Sequence, residues 1–142
     1  MSIIKSKLIR NQKGQAFVEF ALVLPILLLL VFGIIQFGIL FNNYLTLTDA
    51  VRAGARQAAV SRTLSDQVGP AIARVRAAAA NLDTDPSVLP VTVTPYDPSK
   101  GTQSWVQGGD VTVIATYPYS ISLLGLVVKS GRMTSQTTER VE

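Results

Sequence analysis

Residues 13–41, KGQAFVEFALVLPILLLLVFGIIQFGILF, decide how the rest of this chain is read. No residue from Phe20 to Thr48 is charged, and Phe20 to Phe41 is apolar apart from Gln36, with Gly33 and Gly38 as breaks. As a helix, Phe20 to Phe41 extends ~33 Å, against a hydrocarbon core of ~30 Å, so the run is long enough to cross a bilayer. One carboxylate, Glu19, stands at its near edge. A charge there is expensive in lipid unless it is paired or held at the interface, which makes Glu19 a functional candidate, with a solvated residue at headgroup level as the plain alternative.

Working outward, the first residues form a basic leader: Lys5, Lys7, Arg10 and Lys13 precede the run with no acid among them. The net charge of +4 belongs to that leader, because beyond it 9 acidic residues are matched by as many basic ones. Lys and Arg favour the cytoplasmic side of a span, so the amino terminus is expected inside and the carboxyl-terminal part exported. A removable signal peptide is the nearest competitor, and Ala53-Gly54-Ala55 offers a small-residue cleavage match. The apolar run is longer than the usual ~7–15 residues of such a segment, however, and the match lies well past its end.

Composition narrows the classes of function. The 142 residues hold one modest domain plus an appendage, with no Cys and no His. Disulfides, thiolate nucleophiles, imidazole bases and nearly all transition-metal sites are thereby removed. No basic stripe or aromatic platform serves a nucleic acid. The acids are scattered, the serines lack a base and no glycine-rich phosphate loop follows a strand, so we expect no enzyme, no cofactor, no metal and no small-molecule substrate.

After Phe41 the helical pattern turns amphipathic. Leu47, Val51, Ala55, Ala58 and Ala59 recur on one side, while Asp49, Arg52 and Arg56 form a stripe on another, which predicts one helix continuing to about residue 62. The small residues Gly54, Ala55, Ala58 and Ala59 admit a close neighbour, most simply an element of the same domain. A second helix is expected over about 66–82, with Thr63, Ser65 or Asp66 at its start, Pro70 in its first turn, and Val68, Ile72, Val75, Ala79 and Leu82 as its apolar stripe. The period then changes to two. Val91 to Thr94 suits an edge strand, Asp110 to Tyr117 is the best strand, and Met133 to Val141 a final one, with Pro118 to Gly131 as a long connection. Ser120 to Val128 is an apolar patch in that connection, open to a place in the core, near the membrane or between subunits. The fold class is α+β: a long amino-terminal transmembrane and amphipathic helix, a shorter second helix, and a small three-stranded antiparallel sheet one face of which lies on the helices.

The spacing of Gly14, Gln15 and Glu19 adds a specific possibility. A cut after Gly14 leaves Gln15 with a charged α-amino group, and Glu19 four residues along falls on the same helical face. In a low-dielectric setting the two charges neutralise one another within a chain or between neighbours. A basic leader, Gly, Glu five residues past the cut, then Phe and a long apolar helix resembles a type IV prepilin. The fuller stretch, GQAFVEFALVLPILLLLVFGIIQFGILF followed by DAVRAGARQAAV, resembles the TadE-like pseudopilins of the tight-adherence (Flp/Tad) secretion and pilus systems, over about residues 13–62.

That resemblance implies a pilin-like subunit with three parts: a leader over 1–14, a transmembrane and assembly helix over 15–41, and an extracytoplasmic domain over 42–142 with its sheet at about 89–142. It implies cleavage between Gly14 and Gln15 by a prepilin peptidase, Glu19 as the carboxylate that sets register, and partners among the other pilins and the Tad/Flp assembly machinery of the bacterial inner membrane. Gln15 stands where many type IV pilins place a large apolar residue, and the exported domain is larger than that of a major Flp pilin, which implies a minor or initiating subunit. Pro25 removes the helical bond to the carbonyl of Ala21 and is expected to kink the span there. Two other readings of the residues stay open: an uncleaved bitopic anchor or scaffold of an envelope complex, and an accessory using Glu19 as an intramembrane proton site.

Overall fold

A computed structural model describes residues 12–123 and 125–142, with side chains described from residue 14 onward. The leader charges Lys5, Lys7 and Arg10, and the side chain of Lys13, lie outside the described residues. The chain forms one long helix, α1 (Gln12–Ala59), a short helix, α2 (Gly69–Ala78), and three strands, β1 (Val91–Tyr96), β2 (Asp110–Leu123) and β3 (Leu126–Arg140). The strands make one antiparallel sheet in the order β1-β2-β3. The architecture is α+β, as the change of hydrophobic period predicts.

α1 runs unbroken for 48 residues through Pro25. It stops earlier than the expected residue 62 because Ser61 closes it: the Ser61 amide donates to the Ala58 carbonyl at 3.0 Å and its hydroxyl to the Gln57 carbonyl at 2.6 Å. Such a hydroxyl bond satisfies a carbonyl that the helix leaves without a partner. α2 is likewise shorter than 66–82. The Asp66 carboxylate accepts from the amides of Val68 and Gly69 at 3.1 and 2.9 Å, with Pro70 in the first turn. At the other end the Ala79 amide still reaches the Val75 carbonyl, and Leu82 N–H bonds the Ala79 carbonyl in a tighter turn, so the apolar stripe outlasts the helix.

The core lies where the amphipathic half of α1 meets α2 and one face of the sheet. Leu47, Ala50, Val51, Ala55 and Ala58 are fully buried against Val75 of α2, Leu89, and Val111, Val113 and Ala115 of β2. The alternation along β2 buries every second residue from Val111 to Ala115, as a strand with one covered face requires. The small residues of α1 are covered by the chain's own α2: a Cβ on Gly54 would run into the Val75 side chain and sit 3.2 Å from the Ala71 carbonyl. Ala71, absent from the expected stripe, is fully buried there, while Val68 and Ile72 are only half-buried. The Ala53 to Ala55 tripeptide lies inside α1, with Gly54 and Ala55 buried.

One expectation is overturned. Pro118 to Gly131 is not a long connection but the outer half of a hairpin, with β2 and β3 pairing as far as Leu123 opposite Leu126. Gly125, at φ 84°, turns the chain in a left-handed conformation that glycine adopts without the steric penalty of a side chain. Pro118 is tolerated within β2 because β1 stops pairing at Ala115, so no ladder bond is lost on that side. Val128 is an extra residue in β3, since Ile121 faces Lys129 and Ser122 faces Val127, a β-bulge that bends the hairpin.

Candidate functional site

The amino-terminal part of α1 is the candidate site. From Gly14 to Ile35 no residue is buried, and apolar side chains project all round: Phe17 is 75% exposed, and Leu22, Ile26 and Ile34 are similarly open. Water does not solvate such a surface favourably; lipid or other apolar helices do. α1 is the one helix among the described residues long and apolar enough to cross a membrane, and none of its most apolar stretch is covered by the rest of the chain.

At the start of this stretch Gly14, Gln15 and Glu19 are all exposed and helical. The Gln15 side-chain amide donates to Glu19 Oε1 at 3.1 Å, so the two lie on one face, a turn apart. Pro25 lies further along the same helix and takes no part in this pair.

The carboxyl-terminal end of the apolar run meets the sheet at a point that no local pattern marks. β2 descends along α1 from the Ala59 end, where the Glu142 amide bonds the Ala59 carbonyl at 3.1 Å, to the level of Gln36, whose side-chain amide reaches Ser122 Oγ at 3.5 Å. Phe37, Leu40, Phe41 and Tyr44 of α1 line a shallow apolar groove with Tyr119 and Met133 of the sheet. Gln36 stands out in the sequence as the one polar residue of the run, but its partner lies 86 positions away.

Away from the helix, two carboxylates organise loops. The Ser99 hydroxyl and, with it, the Ser99 amide and the nearby Lys100 hold Asp97 below the usual carboxylate range. Ser87 does the same for Asp85 through its hydroxyl and amide. Both are turn devices, in which an Asp side chain accepts from the amide two residues on. Among the described residues no cluster of three or more His, Cys, Asp or Glu gathers at a metal-ligand spacing.

With this geometry in place, a family model described as TadE-like protein matches residues 14–56, the exposed apolar helix together with the part that packs on α2. Over that stretch the chain is similar to TadE-like proteins. No curated protein and no solved structure matches it.

Proposed function

We propose that this chain is a minor pilin or pseudopilin of a Tad-type pilus system, a structural subunit rather than an enzyme. In this reading the chain sits in the bacterial inner membrane with its leader cytoplasmic and the domain of α2 and the sheet outside, the orientation that Lys5, Lys7, Arg10 and Lys13 favour. A prepilin peptidase cuts between Gly14 and Gln15, and the Tad/Flp machinery packs the subunit with other pilins through residues 15–41.

The observation that carries the reading is the exposed apolar helix with Gln15 and Glu19 on one face at its start. After the cut, the new α-ammonium group lies one turn from the Glu19 carboxylate. Each charge alone is costly in a bundle of apolar helices; together, within a subunit or between an incoming chain and its neighbour, they offset one another. A misregistered neighbour leaves both charges without partners, so the pair selects one stagger of the packed helices. Pro25 frees the Ala21 carbonyl within the same packing surface, where neighbouring helices can satisfy it.

Mass spectrometry of the chain purified from membranes tests the proposal. A mature terminus at Gln15 is expected; an intact terminus upstream of Lys5 in cells with an active prepilin peptidase would falsify processing and leave an uncleaved anchor.

A further inference from the structure

The β2–β3 hairpin carries an apolar tip with no partner among the described residues. Leu126, Val127 and Val128 are 74%, 65% and 64% exposed. They lie at the far end of strands whose other ends contribute to the core, and the Gln36 to Ser122 hydrogen bond fixes that far end beside the apolar run of α1. Resting on the reading that this run spans a membrane, we infer that the hairpin tip is a second membrane contact, with Leu123, Leu126 and Val127 dipping into the outer-leaflet lipid beside α1.

The level follows from the two rises. Gln36 and Ser122 are at one height. Beyond Ser122 only Leu123 and the turn remain, so at ~3.4 Å per residue the tip reaches several ångströms further toward the membrane centre. Counted from Phe20, the first residue after Glu19, ~30 Å of helix ends near Ile39, so the outer boundary falls within a turn of Gln36. Phe37, Phe41, Tyr44 and Tyr119 then form a ring at the headgroup level, the place aromatic side chains favour.

Two features limit the depth. Past Ala115 the β1 side of β2 has no paired strand among the described residues, and open sheet edges do not occur in hydrocarbon, so the hairpin stem above the tip must stay in the hydrated interface. Ser120, Ser130 and Lys129 sit on that stem, with the Lys129 ammonium suited to lipid phosphate. Lipid is favoured over a second copy of the chain as the occupant because the tip is continuous with the spanning surface of α1: any bilayer that covers Ile34 and Ile35 meets Leu126 as well.

The chain has no cysteine, so single-cysteine variants report position cleanly. Val127→Cys, Leu126→Cys, Leu30→Cys and Thr63→Cys would each carry an environment-sensitive fluorophore in the full chain, reconstituted in phosphatidylcholine and phosphatidylglycerol vesicles with nitroxide quenchers at shallow or deep acyl positions. Circular dichroism verifies the fold of each variant. The Val127 and Leu126 labels should be quenched several-fold more by the shallow nitroxide than the Thr63 label, and the Leu30 label most by the deep one, unchanged by tenfold dilution with lipid. Tip labels that behave like the Thr63 label while the Leu30 label stays quenched overturn the tip contact and leave the span intact. A Leu30 label in water overturns the span and the inference with it. Shielding of the tip that vanishes on dilution assigns it to another copy and likewise overturns the lipid contact.

Discussion

Gln15 and Glu19 are joined by a side-chain hydrogen bond of 3.1 Å on the first exposed turns of α1, which places the residue that cleavage would make amino-terminal directly beneath the only carboxylate of the apolar segment. If this face sets register, Glu19→Ala should leave processing normal, as read by the mass of the mature chain. Pilus assembly should fall by at least about tenfold, equivalent to losing about 1.4 kcal/mol of pairing free energy. Glu19→Gln should behave similarly, since it keeps the shape and loses the charge. Normal piliation in both variants would remove the register role.

Gly14 is exposed at the start of the helix. Gly14→Leu should therefore fold normally and fail only at the peptidase, leaving the leader attached. Efficient production of a Gln15 terminus from this variant would show that the cut does not need glycine.

Gly54 faces Val75 and the Ala71 carbonyl across the α1–α2 contact, where no Cβ fits. Gly54→Val should destabilise the domain by about 1–3 kcal/mol through overpacking, seen as a lowered unfolding midpoint in detergent. Because Val75→Ala removes the side chain that the new one strikes, a Gly54→Val, Val75→Ala double variant should recover part of the loss. Additivity of the two changes would argue against direct contact.

Asp97 is held below the ordinary carboxylate range first by the Ser99 hydroxyl, with the Ser99 and Lys100 amides and the Lys100 charge adding to it against the opposing effect of burial. A folded-state pKa below the unfolded one means that the ionised carboxylate stabilises its loop. That contribution is complete above the usual carboxylate range and is lost only as pH falls through the depressed value. The amide chemical shift of Ser99, whose N–H donates to the Asp97 carboxylate, should thus stay constant from neutral pH down to about 4 and move only below it. Asp97→Asn should abolish the transition. A midpoint at or above the ordinary aspartate value would contradict the assigned bonds.

Much of this fold is legible residue by residue because its signals are local. The apolar run, the Leu47 to Ala59 stripe and the alternation of β2 each follow from a periodicity that one element carries by itself. Helix ends were less legible. Ser61 and Asp66 stop and start helices through two hydrogen bonds each, and an apolar stripe cannot show where those fall, as Leu82 beyond the end of α2 illustrates. The hairpin tip was hidden for a different reason: Leu126 to Val128 are exposed, so neither burial nor strict alternation marks them as strand, and Pro118 reads as a break until β1 is known to end beside it.

By itself, the sequence determined that a charge-free apolar helix precedes a small α+β domain and that Gln15 and Glu19 share a face, since both depend only on composition and on four-residue spacing along a helix. Only the tertiary structure decided that α2 covers Gly54, that β2 and β3 continue to a turn at Gly125, and that Ser122 meets Gln36. Those relations join residues far apart in the chain, and they arise from how closely backbones can approach and how far paired strands reach, quantities that no local pattern encodes.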